Sequence, residues 1–110
     1  MITQTELVET IKPLRGEVLV HWIELGWVLP HRENESFHFD PADVARVRLI
    51  CELHYELQIE EESLSVVLSL MDQLYATRRA LSGLMSAVQS QPDDVRARIA
   101  TSLQLDFENS

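Results

Sequence analysis

Apolar residues recur along this chain first at helical spacing, then in alternation, then at helical spacing again. Leu7, Val8 and Ile11 share one face of a helix over residues 3–11, which Thr3 or Thr5 can cap. Lys12-Pro13 ends it, because the residue before a proline is biased out of the helical region. A second helix over residues 17–25 has a broad apolar face of Val18, Leu19, Trp22, Ile23 and Leu25. Gly26 can take the left-handed conformation that closes it. Residues 27–39 read as a hairpin, with Val28 and Leu29 in one arm and Phe37 to Phe39 in the other. Alternation turns Phe37 and Phe39 inward and His38 outward, and leaves residues 31–36 as a mobile polar connection.

Asp40-Pro41 starts a third helix, since Asp caps free N–H groups and Pro suits the first helical position. Its buried face is expected to be Val44, Val47, Ile50, Cys51, His54 and Leu57. A short acidic connection over residues 59–62 leads into the longest helix. There Val67, Met71, Leu74, Arg78, Leu81, Met85 and Val88 alternate spacings of four and three, the seam of a coiled coil. Ser90-Gln91-Pro92 breaks the pattern before a final helix over residues 93–105, with Phe107 pinning its end and residues 108–110 frayed. The fold class is mainly α: a winged helix-turn-helix with a small β-hairpin wing, then a long helix and a C-terminal helix. The expected divisions are residues 1–58 for the helix-turn-helix and wing, 59–90 for the long helix continuous with it, and 91–110 for the C-terminal helix and tail.

A length of 110 residues suits one domain, and an apolar content of 45% is too high for a disordered chain. No apolar run approaches the roughly 20 residues that cross a bilayer, so no membrane association is expected. The N-terminus has neither the basic nor the apolar region of a secretory signal. The single cysteine, Cys51, cannot form an intramolecular disulfide. Together these point to the cytoplasm.

Charge changes the picture more. Helix-turn-helix modules usually bind DNA, which rewards Lys and Arg through counterion release. Here the formal net charge is −9. The second helix offers Arg15 followed by Glu17, His21 and Glu24, and the wing sets Arg32 against Glu33 and Glu35. DNA binding is therefore disfavoured. Acidity alone is compatible with simple solubility or with a basic protein partner.

Catalytic motifs are missing. There is no nucleophile motif, phosphate loop or dinucleotide fingerprint, and the three glycines are Gly16, Gly26 and Gly83. No enzyme activity and no cofactor are expected. Cys51 and His54, with His31 and His38 in the wing, are too loose a set for zinc, so no metal is expected. What remains is an acidic strip: Asp43, Glu52, Glu56, Glu60, Glu61 and Glu62, then Asp72, partly offset by Arg46 and Arg48. It reads either as a solvated face with i, i+4 pairs such as Arg48 with Glu52, or as a docking surface.

Leu25-Gly26-Trp27-Val28-Leu29-Pro30 and Phe39-Asp40 resemble the N-terminal module of MerR-type regulators. The runs His54-Tyr55-Glu56-Leu57-Gln58-Ile59-Glu60 and Val66-Val67-Leu68-Ser69-Leu70-Met71-Asp72 resemble the chaperone-modulator family, CbpM. The likeness spans residues 3–88 and does not reach the segment from Ser90. It implies a MerR-like fold whose target is the J-domain of a CbpA/DnaJ-like co-chaperone, inhibited by occlusion of its DnaK-binding surface. Charge and expected exposure nominate Glu52, Glu56, Glu60 and Asp72 as electrostatic contacts and Tyr55 as an exposed apolar anchor. The alternative is a MerR-type DNA-binding transcription regulator, using Arg15 and Arg32. A homodimer through the long helix is compatible with either, and the same seam could instead receive the C-terminal helix.

Overall fold

Thr3 starts the first helix: its Oγ1 accepts a hydrogen bond from the Glu6 backbone N–H at 3.2 Å, which satisfies one of the free donors of the opening turn. In the computed structural model, which describes residues 1–108, α1 covers Gln4–Thr10 and α2 covers Gly16–Glu24. The end of α2 is a full Schellman closure. Gly26 sits at φ +78°, its N–H bonds the Ile23 carbonyl, and the Trp27 N–H bonds the Trp22 carbonyl, both at 3.0 Å. Gly26 is suited to that backbone because it has no Cβ.

The wing differs from the expected hairpin. Val28 is buried and Leu29 is 78% exposed, but neither lies in a strand. Pro30 has no N–H to give a ladder, and pairing begins after it. The arms are β2 (His31–Glu33) and β3 (Ser36–Phe39), so the polar stretch expected to be a mobile connection is itself a strand and turn. Asn34 and Glu35 both have positive φ, 49° and 68°. Two such residues make the turn whose twist matches paired strands, and the register His31↔His38, Arg32↔Phe37, Glu33↔Ser36 follows.

A third strand was not foreseen. β1 (Ile2–Thr3) pairs antiparallel with β3, Ile2↔Phe39 and Thr3↔His38, giving the order β1-β3-β2. β3 is thus central. His38, expected to face outward, is half-buried and its Nδ1 is enclosed without a hydrogen-bond partner.

Asp40 begins α3 (Pro41–Cys51) with a capping box: Asp40 Oδ1 accepts from the Asp43 N–H at 2.8 Å, and Asp43 Oδ2 accepts from the Asp40 N–H at 3.0 Å. The helix then widens into a π-helical turn at Glu52–Glu56. A wider turn moves later side chains around the axis relative to an α-helical register. Leu53, His54 and Tyr55 become half-buried, while Leu57, expected in the core, is 66% exposed. Gln58 at φ +54° ends the turn, and the Ile59 N–H bonds the Leu53 carbonyl at 3.0 Å.

α4 covers Glu61–Gln89 and α5 covers Asp93–Glu108. The chain divides into two compact units, Met1–Ser69 and Leu70–Ser110. In the first, Leu64 and Leu68 of α4 join Leu7, Leu19, Trp22, Phe39, Val47 and Ile50 in one core. In the second, Val88, Val95 and Ile99 are half-buried, whereas Met71, Leu74, Leu81 and Met85 are exposed. α5 therefore does not cover the expected seam. The Phe107 side chain and residues 109–110 lie outside the described part of the chain.

Candidate partner-binding surface

Three of the nominated residues come together. Glu52, Tyr55 and Glu56 line a cleft of about 230 Å³ with Thr10, Lys12, Arg48 and Cys51. Its walls are the end of α1 and the α3 exit. Glu52, Tyr55 and Glu56 stand at i, i+3 and i+4 along the α3 exit, a spacing that puts them on one side. Glu60 is exposed beyond the left-handed Gln58 and does not line the cleft, and Asp72 is exposed on α4 in the second unit. The cleft is mixed in charge, because Lys12 and Arg48 sit among its carboxylates. Sequence spacing shows the offset by Arg48 but gives no sign that Lys12, at the stop of the first helix, joins the same cleft.

Tyr55 is not the fully exposed anchor expected. It is half-buried, packs on the core, and stands with its ring centroid 6.4 Å from Trp22 and 4.9 Å from His54. Burial pushes its phenol pKa up, with Cys51 acting in the same direction and Arg15 against it. His54 is fixed in turn: its Nδ1 lies 3.0 Å from the Ile59 carbonyl, which makes Nδ1 the donor. Burial pushes the Cys51 thiol up to about 11; Arg48 opposes the shift and Glu52 adds to it. A neutral thiol at that depth is a small apolar group in practice.

The helix-turn-helix face carries few free cations. On α2 the exposed side chains include Glu17, His21 and Glu24. His21 Nε2 is engaged with Glu61 Oε1 at 2.9 Å. The Arg32 guanidinium lies over Phe37, 5.5 Å from the ring centroid, and Arg46 Nε donates to the Trp27 carbonyl at 2.9 Å. Arg15 is exposed.

His31, Asp40 and Asp43 place one ligand-type atom each within 4.8 Å of one another. Hydrogen bonding accounts for the grouping: His31 Nε2 donates to Asp40 Oδ2 at 3.1 Å, and both carboxylates serve the capping box. The Asp43 N–H, then His31, hold the Asp40 carboxyl below its ordinary value. Cys51 and His54 share no such grouping among the described residues. No described helix is long and apolar enough to cross a membrane.

The family model for MerR HTH family regulatory proteins matches residues 2–85, spanning the helix-turn-helix, the wing and most of α4. No curated protein matches the chain. Capped helices around a Schellman turn, a three-stranded wing and a long following helix agree with that match, and the chain belongs to the MerR helix-turn-helix regulatory family.

Proposed function

We propose that this chain is a non-enzymatic chaperone modulator of the cytoplasm, binding the J-domain of a CbpA/DnaJ-like co-chaperone and occluding the surface that engages DnaK. The observation that carries the reading is the charge of the helix-turn-helix face. α2 exposes Glu17, His21 and Glu24, and the wing tip carries Glu33 and Glu35, in a chain of net charge −9. Such a face repels phosphates and attracts a basic protein surface. Resemblance to the CbpM family supplies the identity of the partner.

Glu52, Glu56 and Glu60 act as long-range electrostatic contacts to a basic surface of the J-domain, with the half-buried Tyr55 edge as an apolar contact; Asp72, in the second unit, is an electrostatic contact of its own. All four carboxylates are exposed. Charges of this kind speed association and make it salt-sensitive. The mechanism is steric and electrostatic, without chemistry.

The test is calorimetric titration of the full chain with a CbpA-like J-domain at low and moderate salt, with duplex DNA as a control. Saturable J-domain binding that weakens with salt, and no DNA binding, is expected. DNA binding without J-domain binding would replace this reading with a MerR-type transcription regulator. In the Glu52→Lys/Glu56→Lys variant, affinity should fall about tenfold through slower association, the step that exposed charges govern. Unchanged affinity in a folded variant removes those residues from the contact.

A further inference from the structure

In the mixed-charge cleft the one aromatic ring, Tyr55, is half-buried against Trp22 and His54, and Lys12 and Arg48 offset the carboxylates. Binding energy usually concentrates in a few desolvated apolar contacts. Such a place exists elsewhere in the first unit. Leu25, Trp27, Glu61, Glu62 and Ser65 line an open groove of about 630 Å³.

Two chain segments build it. The Schellman closure around Gly26 presents Leu25, 43% exposed, and Trp27, 8% exposed, at the end of α2. The first turns of α4 supply Glu61, Glu62 and Ser65, all exposed. The His21–Glu61 contact of 2.9 Å ties the two segments together. No Lys or Arg lines this groove, unlike the cleft with its Lys12 and Arg48. Glu24 and Glu60, the chain neighbours of Leu25 and Glu61, are exposed too. The result is an apolar floor with an anionic rim.

We infer that this groove seats a basic amphipathic helix of a partner protein, with an apolar side chain on Leu25 and Trp27 and flanking Lys or Arg on Glu61 and Glu62. The inference rests on the partner-binding reading above and adds the anchoring site to it. Glu52 and Glu56, outside the groove, govern the rate of approach, and the groove governs how long the partner stays. Desolvated anchors act chiefly on dissociation, and exposed charges on association.

The test uses the full chain and the Ser65→Arg variant. Ser65 is exposed on a helix, and Arg is a good helix former, so the fold is retained. The new side chain fills the groove and adds a cation at its rim. By stopped-flow or surface-immobilised kinetics with the J-domain, dissociation should accelerate at least about tenfold while association changes little. Glu52→Lys/Glu56→Lys should show the reverse, slowing association. The second probe is a fluorescein-labelled Leu/Lys amphipathic helical peptide, followed by fluorescence anisotropy, because Trp27 is only 8% exposed and would report little of its own covering. Wild-type protein should bind it saturably, and Ser65→Arg should weaken that binding at least about tenfold. If Ser65→Arg matches wild type with either bound probe, or if the peptide does not bind, the groove is not the anchor. If the peptide binds as expected while the J-domain does not bind, the groove stands and the J-domain reading falls.

Discussion

Leu64 tests how the long helix is held to the helix-turn-helix. It and Leu68 are the buried residues of α4, at 0% and 2% exposure, and both belong to the core with Trp22 and Phe39. Leu64→Ala removes three carbons. The transfer loss is about 0.8 kcal/mol per methylene, or roughly 2.4 kcal/mol in total. A residual cavity adds to it, and buried Leu→Ala changes cost about 2–5 kcal/mol. We expect about 3 kcal/mol, with little offset from helix propensity, where Ala and Leu are close. That is a large fraction of the ~5–15 kcal/mol that stabilises a typical domain. Leu74→Ala on the same helix is the control. Leu74 is 54% exposed, so its truncation should cost under about 0.5 kcal/mol. Urea unfolding followed by tryptophan emission reads the right unit, because Trp22 and Trp27 both lie in its core. With a slope of about 1–3 kcal/mol per molar urea, the Leu64→Ala midpoint should fall by at least about 1 M. A cost below about 1 kcal/mol at Leu64, or an equal cost at Leu74, would refute the reasoning that α4 is anchored by its first two turns.

Two titratable groups give further outcomes. Cys51, with its thiol raised from 9.0 to about 11 and its side chain buried, should react with iodoacetamide at neutral pH at least about 100-fold more slowly folded than in urea. Its folded pKa lies above the unfolded one. The associated stability is therefore complete below pH 9.0 and lost as pH rises to about 11. A Cys51→Ala variant should show a shallower alkaline decline in unfolding free energy, and an identical decline would contradict the assignment. Asp40 has the opposite sign. Its carboxylate, lowered from 3.8 chiefly by the Asp43 N–H, contributes stability above that value, and the contribution disappears as pH falls through the lower folded value. Asp40→Ala should be less stable than wild type at neutral pH and lose less on acidification. Parallel acid curves for the two proteins would count against the cap.

Part of this architecture was legible because its causes are local. Thr3, Asp40-Pro41, Gly26 and Pro92 act on backbone groups within a few residues, and the helices start and stop beside them. The deficit of cations on α2 was equally plain, since exposure of Glu17, His21 and Glu24 follows from one helical period. Misplacement began where pairing is non-local. Val28 and Leu29 looked like a strand by composition, but strand position depended on a partner and on a turn with two left-handed residues, Asn34 and Glu35. Glu in that conformation gives no sequence signal, unlike Gly. β1 was invisible because its two residues have no pattern of their own and pair with Phe39 and His38 far along the chain.

The candidate surface divides the same way. Composition and helical spacing determined that this is an acidic, mainly helical chain with few cations on its second helix. Only the tertiary structure decided which groups meet. The π-helical turn carried Tyr55 against Trp22 and left Leu57 outside, and the cleft gathered Lys12 and Arg48 among the glutamates. Packing of α2 against the start of α4 set Leu25 and Trp27 beside Glu61 and Glu62. Sequence spacing fixes the face of one helix, but contact between two elements depends on how their buried side chains fill a shared core.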